Sequence, residues 1–167
     1  MAAGNTYTPL ATQTLGSAAA SVTFSSISGA YTDLVLVSVA GTTTGAPNTF
    51  LQLNGDTSTN YSITAIIGDG TSATSGRITS NAQFYIDYNA MPDQTLGTTV
   101  NICNIMNYSN ATTYKTILVR ANAAARGVDG IVGLWRSTAA VTSLVVKPAS
   151  STFLAGSTFS LYGILAA

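Results

Sequence analysis

Apolar and polar residues alternate with a period of two along most of this chain, and the residues that sustain helices are scarce. Alternation places successive side chains on opposite faces of a strand, whereas a helix needs a period near 3.6. "SVTFSSI" sets Val22 and Phe24 against Thr23 and Ser25. "TTYKTILVRANA" sets Ile117 and Val119 against Thr116, Leu118 and Arg120. Glu is absent and Lys occurs only twice, so two of the best helix formers are nearly missing. The single helix-compatible stretch, "ANAAARG" from Ala121 to Gly127, is too short to hold a helix alone and reads as a loop.

The same reading runs from end to end. "TDLVLVSVAG" is a β-branched run that predicts a strand buried on both sides. "TFLQLNGD" ends in Asn54-Gly55, the pair that favours a tight hairpin turn. "NYSITAII" stops at "GDGTSATSG", Gly68 to Gly76, which reads as a mobile loop. "AQFYIDYNAMPD" predicts a strand that includes Asp87 and ends at Pro92. "TTVNICNIMNYSN" turns Val100, Ile102, Asn104 and Met106 one way, which leaves Cys103 on the other face as a small buried hydrophobe. "GIVGLWRS", "AVTSLVVKP" and "STFSLYGIL" complete a set of about ten short strands, the pattern of an all-β sandwich or barrel. No linker or internal repeat divides the 167 residues. The expectation is one antiparallel β-sandwich over 1–167, jelly-roll-like, with an extended N-terminal arm at about 1–12. An immunoglobulin-type Greek key is the second topology, without that family's Cys-Trp-Cys pattern.

Charge bounds the chemistry. Charged residues make up 7% of the chain, against about 25% in an ordinary domain. Six Asp balance six Lys and Arg, so no net field steers the chain toward nucleic acid or an anionic membrane. There is no His, which removes the usual general base and the commonest metal ligand. One Cys allows no internal disulfide. No apolar run reaches 18 residues, and "MAAGNTYTP" has neither a basic nor an apolar leader segment. The expected site of synthesis is therefore a cytoplasm without export.

Individual motifs reduce to structural roles. "LNGDTSTN" has the look of a calcium loop around Asp56, but one acid is too few and an Asn-Gly turn explains it. "GDGTSATSG" lacks the Lys of a phosphate-binding loop. Asp87 and Asp93 are the nearest pair of acids that a glycosidase could use, yet one sits in a strand and the other reads as a turn acid. Sequons at Asn60, Asn107 and Asn110 are expected by chance in so Asn- and Thr-rich a chain. No catalytic, cofactor or metal residues are assigned, and the chain is read as a non-enzyme. Eight Tyr suit strand surfaces and interfaces. Pro9 confines Tyr7, Pro9 and Leu10 to an edge or an extended stretch. The terminal "FSLYGILAA" reads as a strand with Phe159 and Leu161 in the core and Tyr162 and Ile164 against a partner. These five residues, Tyr7, Pro9, Leu10, Tyr162 and Ile164, are the candidate interface.

Four stretches carry a family likeness: "YTPLATQTLGSAAASVTFSSISGAYTDLVLV", "LQLNGDTSTNYS", "YKTILVRANA" and "GLWRSTAAVTSLVVKPASSTFLAGSTFSLYGI". Together they resemble virion structural proteins of tailed phages from cyanobacterial and other aquatic hosts. The likeness spans most of the chain apart from about 68 to 98. The relatives' "IPxxYTDL" reads "ISGAYTDL" here, a change confined to one turn. The resemblance implies a capsid decoration (cement) protein that binds the outer capsid lattice. It also implies a homotrimer, the major capsid protein as partner, and a place in the virion after assembly in the host cytoplasm. A tail-fibre or host-receptor module that binds glycans is the alternative. No cofactor, nucleic acid or membrane is expected.

Overall fold

A computed structural model describes residues 6–89 and 91–165. Within them the chain forms twelve strands. These are β1 (Tyr7–Thr14), β2 (Val22–Phe24), β3 (Asp33–Ala40), β4 (Thr49–Leu53), β5 (Tyr61–Gly68) and β6 (Ala73–Asn81) in the first half. The second half adds β7 (Phe84–Tyr85), β8 (Thr99–Ile105), β9 (Lys115–Ala123), β10 (Gly127–Trp135), β11 (Leu144–Pro148) and β12 (Thr158–Ile164). All the strand pairs are antiparallel. Eight strands form one sheet in the order β1-β12-β3-β8-β9-β10-β5-β6, and four form the other in the order β2-β11-β4-β7. The fold is a jelly-roll-like antiparallel sandwich of two unequal sheets.

The two sheets meet over a single core. Leu34, Leu36, Ile63, Ile105, Ile117, Val119, Ile131 and Trp135 point inward from the large sheet. Val22, Phe24, Leu51, Leu53, Leu144 and Val146 meet them from the small one. Two strand glycines make room for rings. A Cβ on Gly133 would lie 1.8 Å from the Phe84 ring, and one on Gly163 would lie 2.4 Å from the Tyr31 ring. Tyr61 stacks on Trp135 at 6.4 Å between centroids, and Phe153 meets Phe159 at 4.9 Å. The solvent-accessible surface, 7713 Å², is about what a compact monomer of 17.0 kDa exposes.

Several expectations are corrected by pairing. The supposed loop at Gly68 to Gly76 is a two-strand turn: Asp69 Oδ1 accepts from the Thr71 and Ser72 amides, and β6 follows on the edge of the large sheet. Its Ser, Thr and Gly residues carry no apolar stripe because β6 is exposed along most of its length. Of the arm expected at about 1–12, residues 1–5 lie outside the described residues, and Tyr7 onward is a strand paired with β12. Asp87 lies beyond β7 rather than in a strand. Ala121 to Ala123 belong to β9, and only Ala124 to Arg126 turn. The Asn54-Gly55 turn is present, with positive φ at both residues (53° and 65°). It joins β4 of the small sheet to β5 of the large one, so it is a corner between sheets and not a hairpin.

Candidate functional surface

The large sheet has two faces, and the small sheet covers only one. Along β8 the inward residues Thr99, Asn101, Cys103 and Ile105 are buried, while Val100, Ile102 and Asn104 are half-exposed. Cross-strand registers extend this outer set across all eight strands. One row runs from Pro9 through Tyr162, Val35, Asn104, Leu118, Val132 and Thr64 to Arg77. The next runs from Thr12 through Ser160, Val37, Ile102, Arg120, Gly130 and Ile66 to Ser75. Apolar side chains therefore occupy most outward positions on the central strands.

Exposure shows where that face is barest. Ile66 is 68% exposed, Val128 60%, Val132 45% and Leu118 43%. These four surround Gly130, a position where a Cβ would meet nothing within 4 Å. Seven strand spacings and strands of seven to nine residues make a face of roughly 34 by 25 Å, on the order of 800 Å². That footprint equals one partner's share of a standard protein interface, and within it the bare apolar side chains are mixed with Thr64, Thr116, Asn122, Arg120 and Arg77.

Four of the five predicted interface residues meet at one corner of this face. Tyr7 pairs with Ile164 and Pro9 with Tyr162, and the Tyr7 and Tyr162 rings meet edge to face at 6.3 Å. Leu10, half-buried, is turned away from that corner. It follows the outward Pro9, so alternation turns it to the core side, where it packs against the core cluster beside a bulge between Pro9 and Ala11. It lines a cleft of about 420 Å³ between the edge strands β1 and β2, with Phe24, Ile27, Tyr31 and Leu161, while Gln13 Nε2 bridges the two sheets to Thr23 O at 2.8 Å. The expectation that β3 is buried on both sides holds at Val35; Val37 and Val39, on the same outer side, are only half-buried. In β3 the run of apolar residues that predicts burial on both sides carries this outer side as well.

Charge on the outer face is sparse and one-sided. Arg77 on β6 and Arg120 on β9 point outward and are exposed, and neither has a hydrogen-bond or ion-pair partner among the described residues. Asp33 lies at the Ile164 corner, where its Oδ1 accepts from the Asn107 amide at 2.6 Å. Two shallow depressions pit the face. One, about 320 Å³, is lined by Ile102, Arg120, Val128 and Gly130; the other, about 280 Å³, by Thr64, Arg77, Thr116 and Val132.

Several of the remaining polar groups are occupied in the fold. Asp56 accepts from Trp135 Nε1 at 2.7 Å, Asn60 Nδ2 at 2.8 Å and the Ser58 amide at 2.8 Å. Partial burial pushes its carboxyl up, but these hydrogen bonds outweigh it and hold it below the usual range. Asp93 Oδ1 accepts from the Thr95 amide and Thr98 Oγ1, the turn role expected of it. Lys115 is buried, and its Nζ donates to the carbonyls of Thr113 and Thr138; burial lowers its pKa. Asp87 is fully buried behind the large sheet and accepts from the Thr49 amide at 2.9 Å. Desolvation raises its pKa to about 7, partly offset by the Thr49 hydrogen bonds, and the nearby Asp129 charge adds to the rise. Asp129 Oδ2 in turn accepts from the Tyr88 and Asn89 amides. Burial likewise pushes the Cys103 thiol far up. Among the described residues no three His, Cys, Asp or Glu side chains converge on a point.

No family model matches the chain, and no curated protein matches it. Among solved structures, a galectin of Caenorhabditis elegans, LEC-6, aligns at 11% identity over 98% of this chain and 99% of its own, with a TM-score of 0.36. The alginate lyase Aly36B, solved with an alginate tetrasaccharide, aligns at 8% identity over 93% and 81%, with a TM-score of 0.31. Neither likeness bears on what the outer face binds.

Proposed function

We propose that this chain is a virion structural protein of a tailed phage, a capsid decoration (cement) protein that seats on the outer capsid lattice and stabilises it. The observation that carries the reading is the outer face of the large sheet, a face of interface size that the chain itself leaves uncovered and that bares Ile66, Leu118, Val128 and Val132 at its centre. The sequence resemblance supplies the virion setting, and the scarcity of charge suits a protein held in a repeated lattice. The role is non-enzymatic, the assembly a homotrimer, and the partner the major capsid protein. Mass spectrometry of purified virions with copy counting tests it. Hundreds of copies per particle are expected. A few to a few dozen would point to the tail, and absence from virions would end the reading.

A tail-fibre or receptor module that binds glycans is the second reading. It is favoured by one observation, the Tyr7 and Tyr162 rings gathered at the face's corner, with Tyr7 59% exposed. Glycan-array binding that is lost in Tyr7→Ala would select it over decoration.

A further inference from the structure

An uncovered sheet face of this size with apolar residues bare at its centre has three classes of occupant: a second copy of the chain, an uncharged surface, or a partner with charge opposite to its own. The face itself distinguishes them. Its two outward guanidinium groups, on Arg120 and Arg77, have no partner among the described residues. Its one acid, Asp33, is at a corner and tied to the Asn107 amide. Arg120 sits on β9, one of the two middle strands of the eight. Two copies packed face to face would bring both Arg120 side chains into a drying apolar interface with no carboxylate between them, which is costly. An uncharged surface would strip both guanidinium groups of water without replacement.

From this we infer that the outer face docks on a flat, apolar protein surface that presents carboxylates, with Arg120 and Arg77 as its two ion-pairing points. The inference rests on the virion reading, which makes that partner a protein of the outer capsid lattice. The spacing is set by the fold. Arg120 lies opposite Gly130, Gly130 opposite Ile66 and Ile66 opposite Ser75, two residues from Arg77. Three strand spacings separate the arginines, so the partner's carboxylates stand roughly 15 Å apart. Each guanidinium rims its own depression on the face, of about 320 Å³ for Arg120 and about 280 Å³ for Arg77; the first is also lined by Asp129, whose Oδ2 is engaged by the Tyr88 and Asn89 amides. Between the two lie Ile66 and Val132, which supply the apolar contact. Arginine suits this arrangement because its fork pairs a carboxylate through two hydrogen bonds.

The test uses the full chain and empty capsids of the phage that encodes it, with bound protein measured by co-sedimentation. Wild-type binding should weaken about tenfold or more between low and moderately high salt, as expected of charge-steered docking. Arg120→Glu and Arg77→Glu should each weaken it by about tenfold or more, and Arg120→Lys should lose much less. Both side chains are exposed, so melting temperatures should stay within a degree or two of the parent, which separates lost docking from lost folding. If the reversed variants bind capsids like the parent, the docking inference fails while the decoration reading stands. If the wild-type protein neither binds capsids nor occurs in virions, the decoration reading itself fails. If sedimentation equilibrium instead finds a dimer that Val132→Glu dissociates, the occupant is a second copy and the inference is overturned.

Discussion

The inner and outer faces of the large sheet are built from the same residue types and meet opposite fates. Ile131 and Val132 are neighbours on β10; the first is 3% exposed and the second 45%. Ile117 and Leu118 on β9 repeat the contrast. The difference lies in the layer above and not in the side chain. Four strands of the small sheet cover the inner face, and among the described residues no layer covers the outer one. Apolar residues on the inner face are therefore part of the fold's stability, while those on the outer face contribute little to it.

The severest way to break the comparison is to remove one of the strands that carry both faces. Deleting Phe159 to Ala167 takes away β12, which lies between β1 and β3, and strips both neighbours of their ladder. Soluble expression should be lost, because an interior edge of the sheet opens. A truncated protein that stays soluble and melts near the parent would break it.

Within one strand the contrast sharpens. Ile131→Ala should lower the unfolding free energy by about 2–4 kcal/mol, as large-to-small changes in a core do. Gly133→Val should do comparable harm, since its Cβ would overlap the Phe84 ring. Val132→Ser, one residue from each, should stay within about 0.5 kcal/mol of the parent. Urea melts of the three variants side by side would check it; similar losses at Ile131 and Val132 would mean that the outer face is covered after all.

A smaller effect probes the polar part of the inner layer. The Asp87 carboxyl titrates near 7 in the folded chain, against 3.8 as its ordinary value, so the native state holds a proton that the unfolded state releases. Its contribution to stability is complete below about pH 4 and is lost as pH rises through 7, on the order of a few kcal/mol. Asp87→Asn should flatten that slope and leave the protein more stable than wild type at pH 8. Denaturant melts from pH 5 to 8 decide this, and a wild type that gains stability toward pH 8 would contradict it. The outer-face arginines should leave the same pH series unchanged.

Strand content and facing were largely legible before any coordinates. Cys103, Ile117, Val119, Phe159 and Leu161 point inward as the alternation requires, and Tyr162 and Ile164 point outward. The hidden elements are the edges. β6 reads "ATSGRITSN", and neither of its faces is buried enough to need an apolar stripe, so its conformation comes from hydrogen bonds lent by β5. β1 carries Pro9 and a bulge between Pro9 and Ala11, and a one-residue register shift leaves no trace in the local pattern. Asp87 reads as part of an alternating strand because Phe84, Tyr85 and Ile86 do alternate, yet its environment is set by Thr49, Asn101 and Asp129, all distant in sequence.

Alternation alone determines which side chains share a face, because successive strand residues must point to opposite sides. It also determines that few charged groups stand ready for chemistry, because the composition holds no His or Glu. Which of two apolar faces lies in the core and which stays open was decided only by tertiary structure. β3 and β10 offer apolar side chains on both sides, and it is the order of pairing, with eight strands in one sheet and four in the other, that places a second layer over just one of them.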